Sequence, residues 1–288
     1  MKIGFIGIGV MGHSIAGLLM DAGHELILYT RTKSKAFDLL ERGALWCETP
    51  KEVAEASQVV FTMVGYPTDV EKTYFNHATG LLAANLTGKI LVDLTTSTPS
   101  LAEEIQAAVL LKGGQSMDAP VSGGDLGAKN GTLTIMVGGE EETYQRICPL
   151  FKHFGKTYML HGTAGKGQHT KMANQIMVAG TMLGMTEMLV YAKAAGLDLE
   201  KVIETLSGGA ATNWSMINYS PRILREDFTP GFFVKHFIKD LKIALDEAEK
   251  KEITLPGTLL AKDLYERLAE AGHENDGTQA LIKLWWSE

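Results

Sequence analysis

Lys2-Ile3-Gly4-Phe5-Ile6-Gly7-Ile8-Gly9-Val10-Met11-Gly12-His13-Ser14 is the stretch on which the reading of this chain turns. A short apolar run leads into Gly-x-Gly-x-x-Gly, and an amphipathic segment over 11–22 follows at once. A strand that feeds a glycine turn opening a helix directs unpaired amides and the positive end of a helix dipole toward one point. Gly7 then permits the tight turn, Gly9 lets backbone approach a pyrophosphate, and Gly12 lets the helix pack closely on the strand. With Ile8, Val10 and Met11 between them, these residues predict a dinucleotide-binding loop.

Working outward, short apolar runs at 2–6, 25–29, 59–64, 90–93, 115–118 and 133–137 alternate with helical patterns at 11–22, 33–42, 50–56, 68–74, 99–111 and 140–151. Six strands with intervening helices predict a doubly wound α/β sheet of the Rossmann type. Past Gly162 the alternation stops. Helical patterns at 168–195, 199–206, a long segment ending near 251, 259–270 and 278–285 predict an all-α second domain. The expected division is 1–162 for the cofactor and 163–288 for substrate and oligomer contacts, with chemistry in the cleft between them.

The length of 288 residues suits two domains, each with a core of its own. A formal charge of −7 and the lack of a lysine or arginine cluster argue against nucleic acid or an anionic membrane as partner. The fifteen-residue apolar stretch 176–190, interrupted by Thr181, Thr186 and Glu187, is too short to span a bilayer. Three glycines break the N-terminal apolar run, so it does not read as a signal peptide. Cys47 and Cys148 lack metal-ligand spacing, the eight histidines form no ligand-spaced pair, and no metal is expected. A cytoplasmic protein with reduced thiols is the expectation.

The second strand should end in the carboxylate that binds the ribose 2′-hydroxyl of NAD. Here it ends in Tyr29-Thr30-Arg31-Thr32-Lys33-Ser34-Lys35, with no acid before Asp38. A guanidinium and two hydroxyls at Thr30, Arg31 and Thr32 suit a 2′-phosphate, so NADP is expected, with NAD as the alternative. Solvation of the next helix would account for the same charges. Two further segments carry chemistry. Asp118-Ala119-Pro120-Val121-Ser122-Gly123-Gly124 follows a strand, and a hydroxyl beside two glycines exposes amides that can hold a carboxylate. In Gly165-Lys166-Gly167-Gln168-His169-Thr170-Lys171-Met172-Ala173-Asn174-Gln175, Lys171, Asn174 and Gln175 share one helical face. A lysine desolvated in a cleft can move a proton near neutral pH, because burial disfavours its charged form.

The glycine loop, Val92-Asp93-Leu94-Thr95-Thr96-Ser97, the Asp118 to Gly124 loop, the Gly165 to Asn174 segment and Lys239-Asp240-Leu241 stand in the order and spacing of one enzyme family. Across nearly its whole length the chain resembles the β-hydroxyacid dehydrogenases, which include 3-hydroxyisobutyrate dehydrogenase, tartronate semialdehyde reductase and the glyoxylate/succinic semialdehyde reductases, and which are related to 6-phosphogluconate dehydrogenase. The resemblance implies that Lys171 is the general acid/base and that Asn174 helps hold the substrate. It also implies that Ser122, Gly123 and Gly124 bind the substrate carboxylate, and that Thr96 and Lys239 contact cofactor and substrate. The helical domain of such enzymes builds oligomers, which implies a homodimer or homotetramer.

The chain departs from the family pattern at two places. Gln175 stands where many members have a second asparagine, which leaves the role of that amide open. Met63-Val64-Gly65-Tyr66-Pro67 replaces a frequent Leu-Pro pair, so Val64 and Gly65 are expected to meet the cofactor through backbone. The expected reaction is reversible hydride transfer between NADP(H) and a small, carboxylate-bearing 3- or 2-hydroxy acid or its semialdehyde. The alternatives are a non-catalytic NADP-binding sensor and a phosphosugar-acid dehydrogenase. The second would want basic residues near the C-terminus, where Leu284-Trp285-Trp286-Ser287-Glu288 supplies none after Lys283. Imine reduction, whose enzymes commonly lack the lysine, is a third.

Overall fold

The computed structural model describes residues 1–286; Ser287 and Glu288, which end the segment weighed against a phosphosugar substrate, lie outside the described residues. Two compact units divide between Lys171 and Met172. The first holds a six-stranded sheet of β1 (Lys2–Ile6), β2 (Glu25–Tyr29), β3 (Leu45–Trp46), β4 (Val59–Thr62), β5 (Ile90–Asp93) and β6 (Gln115–Asp118). Its order is β3-β2-β1-β4-β5-β6, with all pairings parallel. The direction of winding reverses between β1 and β4, and in such sheets ligands sit beyond the carboxyl ends of the strands at that reversal.

Alternation along each strand builds both faces of the sheet. Ile3, Phe5, Leu26, Leu28, Val59, Phe61, Ile90 and Val92 enter one core, where Phe61 meets Phe5, Phe151 and Phe154. Ile6, Ile27, Val60 and Leu91 enter the other. Helices cover the two faces: α1 (Val10–Asp21), α2 (Phe37–Glu41), α3 (Pro50–Ala56), α4 (Pro67–Phe75) and α5 (Pro99–Leu111). The hydroxyl cap expected before Pro99 is present, with Thr98 Oγ1 accepting from the Leu101 amide at 3.3 Å.

The segment 133–137 is a strand but does not join this sheet. After β6 the chain forms β7 (Val121–Ser122), a short α6 (Gly124–Lys129), β8 (Leu133–Val137), α7 (Glu141–Phe151) and β9 (Gly155–Leu160). These strands make a separate sheet in the order β7-β8-β9, antiparallel and then parallel. Pro120 lies at the turn that carries the chain out of the main sheet, and β8 pairs back upon β7 there. The sixth place in the main sheet falls to the two-residue edge strand β3, too short to register as a pattern.

The second unit is helical. The 29-residue α8 (Lys166–Ala194) begins in the first unit and runs into the second, followed by α9 (Leu199–Ser207), α10 (Trp214–Leu224), α11 (Val234–Glu249) and α12 (Pro256–Leu268). Phe237, Leu241, Tyr265, Leu268 and Leu281 pack with Ala179 of α8 into its core. The segment 278–284 is a 3-10 helix. No helix among the described residues is long and apolar enough to cross a membrane.

Candidate active site

The three glycines of the first loop have three different physical reasons. Gly7 has φ +98°, donates its amide to Tyr29 O at 2.9 Å, and has no room for a Cβ against the Met63 carbonyl. Gly12 lies against the Gly7 carbonyl itself, so a side chain there would push α1 off the turn. A Cβ on Gly9 would meet nothing within 4 Å. Gly9 is also the N-cap of α1, whose first turn holds neither a capping side chain nor an acid. Open space before helix amides fits a pyrophosphate group. Ile8 is buried in the core and Met11 packs against it, so these two side chains support the loop from beneath, while Val10 is exposed.

Beyond β2 lie Thr30, Arg31 and Thr32. The Arg31 guanidinium is 3.0 Å from Asp69 Oδ1, and Asp69 sits in the first turn of α4. An acid from another element, Asp69, is thus engaged by the arginine that follows β2, a partner that sequence spacing could not disclose. At the tips of β4 and β5, the Val64 amide donates to Thr95 Oγ1 at 3.0 Å, and the Thr95 amide donates to Asp93 Oδ1 at 3.0 Å. Gly65 and Thr96 follow directly on these tied positions.

The start of α8 is clamped to the same tips. Asp118, at the end of β6, accepts the Gly165 amide on Oδ1 and the Gln168 amide on Oδ2, both at 2.8 Å. Gln168, fully buried, donates Nε2–H to Thr95 O at 2.8 Å and accepts the Ser97 amide on Oε1 at 3.0 Å. Its side chain therefore spans the backbone on either side of Thr96. Burial is the largest influence on Asp118 and raises its pKa above the ordinary carboxylate value, against the lowering effect of the amides it accepts. Asp118 and Gln168 both stand within the sequence motifs, but residue order offers no sign that they bond across 50 positions.

One helical turn past Gln168, Lys171 is 5% exposed and donates Nζ–H to Val121 O at 2.9 Å. Its ammonium thus adjoins Ser122, Gly123 and Gly124. Both glycines have left-handed backbones, φ +128° and +64°, which turn the chain into α6. A Cβ on Gly167 would lie 2.5 Å from Met136 O and 2.7 Å from Asp118 O, so its lack of a side chain serves the clamp.

In the second unit, Asn174 and Gln175 of α8 join a buried polar chain. Asn174 Nδ2 donates to Gln175 Oε1 at 2.7 Å, and Gln175 Nε2 donates to Asp240 Oδ2 at 2.6 Å. Asp240 Oδ1 is 3.0 Å from Lys239 Nζ. Asn174 and Lys239 are therefore connected through Gln175 and Asp240.

A doubly wound sheet with a glycine loop at its reversal point, followed by a helical unit, defines the class of NAD(P)-dependent oxidoreductases of 6-phosphogluconate dehydrogenase type. Residues 2–163 match the family described as the NAD binding domain of 6-phosphogluconate dehydrogenase, and residues 165–285 match NAD-binding of NADP-dependent 3-hydroxyisobutyrate dehydrogenase. The chain belongs to the 3-hydroxyisobutyrate dehydrogenase, or β-hydroxyacid dehydrogenase, family. It is 52% identical over 281 residues to a probable 3-hydroxyisobutyrate dehydrogenase-like 1, mitochondrial, of Arabidopsis thaliana, covering 98% of this chain and 84% of that one. It is 39% identical over 283 residues to the 2-hydroxy-3-oxopropionate reductase of Escherichia coli, covering 98% and 96%. Among solved structures, Psf3 in complex with NADP+ and 2-OPP superposes with a TM-score of 0.91 at 27% identity, covering 98% and 99%.

The clamp yields a stability prediction. Asp118→Asn places an amide N–H against one of the two backbone donors, which should cost about 1–3 kcal/mol of unfolding free energy at pH 7. Because the folded-state pKa of Asp118 is raised, its unfolded form loses the proton first as pH climbs. Wild-type stability therefore loses this contribution between pH about 4 and the raised value, while the variant does not. Urea unfolding from pH 4 to 7 should show the gap between the two proteins narrowing as pH rises.

Proposed function

We propose that this enzyme catalyses reversible hydride transfer between NADP(H) and a small 3- or 2-hydroxy acid or its semialdehyde, with Lys171 as general acid/base. The observation that carries the reading is the Lys171 Nζ contact to Val121 O, which brings a buried cation beside the Ser122 to Gly124 turn. When bound, the nicotinamide exchanges hydride with the substrate carbon. In reduction, the Lys171 ammonium gives its proton to the oxygen that becomes the hydroxyl; in oxidation, the neutral amine takes that proton back. Ser122, Gly123 and Gly124 hold the substrate carboxylate, and Asn174 and Lys239 help hold the rest of the substrate, so that one pose presents the reacting carbon. The names of the Arabidopsis and Escherichia coli relatives support this substrate class.

For the cofactor, Gly7 to Gly12 receive the pyrophosphate, Val64, Gly65 and Thr96 meet the nicotinamide half, and Thr30, Arg31 and Thr32 receive the 2′-phosphate. Arg31, with further N–H donors beyond the one on Asp69, supports NADP over NAD, as do the NADP-dependent family description and the NADP+ complex of Psf3. Residues 1–162 thus serve the cofactor, and 163–288 the substrate and the assembly.

A homodimer is the assembly that α8 supports best. Ala173, Met177, Gly180, Gly184, Glu187 and Tyr191 are its exposed positions along one face, spaced by fours and threes. Reversed upon itself, this seam sets Ala173 against Tyr191, Met177 against Glu187 and Gly180 against Gly184. Ala173 leaves room for Tyr191, the glycines allow close approach at the centre, and each pair occurs twice, as a two-fold interface requires.

Three outcomes are expected. Lys171→Ala should lower kcat by about 10²- to 10⁴-fold and leave NADPH affinity, read by fluorescence titration, nearly intact; full activity would remove Lys171 from the mechanism. With wild type and succinic, methylmalonic or tartronic semialdehyde or glyoxylate, kcat/KM should be higher for NADPH than for NADH, and equality or reversal would sink the cofactor assignment. A Cβ at Gly180 meets nothing within 4 Å, so Gly180→Leu should fold, yet sedimentation velocity should find it shifted from dimer toward monomer.

A further inference from the structure

We infer that Gln175 is a positioning residue: Asp240 fixes the polarity of the amide chain through it, so that Asn174 offers its carbonyl oxygen, an acceptor, to the hydroxyl of a bound hydroxy acid. The inference rests on the substrate class proposed above. Asp240 is 1% exposed and Gln175 2% exposed, so neither can exchange its protein partner for bulk water. One oxygen of Asp240 lies 3.0 Å from the Lys239 ammonium and the other 2.6 Å from the Gln175 amide. A carboxylate ion-paired in this way only accepts, so Gln175 must turn its NH2 group toward it. The Gln175 oxygen then faces Asn174 and can be met only by a donor, the Asn174 NH2 group, at 2.7 Å. Reversing either amide would set two oxygens or two N–H groups against each other inside the protein, a cost that grows with burial. The acceptor-only end thus dictates the far end of the chain, and the Asn174 oxygen is left facing away from Gln175.

Asn174 stands three positions after Lys171, on the same face of α8. A hydroxyl whose oxygen accepts a hydrogen bond from the Lys171 ammonium keeps its own hydrogen to donate, and the fixed oxygen of Asn174 accepts it. A deoxy acid, with the carboxylate but no hydroxyl, gains nothing from this oxygen. The residue that replaces the family's second asparagine is, in this reading, an arm long enough to join Asn174 to Asp240.

The test uses the full-length protein saturated with NADPH, where a hydroxy acid binds without turning over. Titration calorimetry with 3-hydroxyisobutyrate and with isobutyrate should show wild type preferring the first by roughly three- to tenfold, the worth of one neutral hydrogen bond. Gln175→Met keeps the side-chain volume and removes both polar ends. It should bind isobutyrate within about twofold of wild type while its preference for the hydroxy acid falls to near one, with NADPH affinity retained as the check on folding. Asp240→Asn, which still accepts but no longer forbids the reversed amide, should lower the preference without removing it. An unchanged preference in Gln175→Met overturns the inference, and so does parallel weakening of both acids, the signature of a merely structural role. A wild type that binds both acids equally overturns it while leaving the Lys171 reading to its own test. A wild type that binds neither overturns the substrate class together with it.

Discussion

The buried carboxylate of Asp118 is the constraint on which the rest of this site depends. It meets two amides at the start of α8, where the helix dipole is positive, and compensates there for donors that no residue of the helix itself could satisfy. Gln168 adds a second tie one turn along, and Lys171 follows one turn after that. A 29-residue helix anchored at its first turn has the orientation of its next turn fixed as well, because successive residues are set by the helical repeat. The lysine is thus aimed by residues that need never touch a ligand.

The same geometry shows what could be read from residue order and what could not. Gly7, Gly9 and Gly12 were legible because the roles of a strand–turn–helix unit are local: each glycine answers to backbone within the unit or to the space before it. Gly165 and Gly167 look alike on paper, yet a Cβ on Gly167 would strike Asp118, and that contact depends on a fold the sequence does not spell out. The strand at 133–137 is visible, but its sheet is not, since β9, its partner, buries only Gly155 fully and shows no apolar alternation. Helix α10 was hidden for a local reason, the Pro221 within it, which tertiary packing of Met216, Tyr219 and Ile223 overrides.

Gln175 illustrates a subtler limit. The Lys171, Asn174 and Gln175 face was readable from helical spacing, and the family resemblance marked Gln175 as a departure. Its meaning depends on Asp240, 65 positions away. Hydrogen-bond polarity is a property of a whole chain of groups, fixed wherever one member can only accept or only donate. No window of sequence contains both ends of this one.

Electrostatics completes the relation between composition and site. A protein of charge −7 belongs to a family that binds an anionic dinucleotide, and the net charge is a poor guide to that affinity. At physiological ionic strength fields between exposed charges fade over about 8 Å, so the local arrangement decides. Around the glycine loop that arrangement favours an anion: α1 begins without an acid, and Gly9 leaves its amides uncovered. Asp69, 3.0 Å from Arg31, is engaged by the guanidinium, and an ion pair presents less negative charge to its surroundings than a lone acid would. Asp69 comes from α4 rather than from the end of β2, and it reaches this region already paired with the guanidinium.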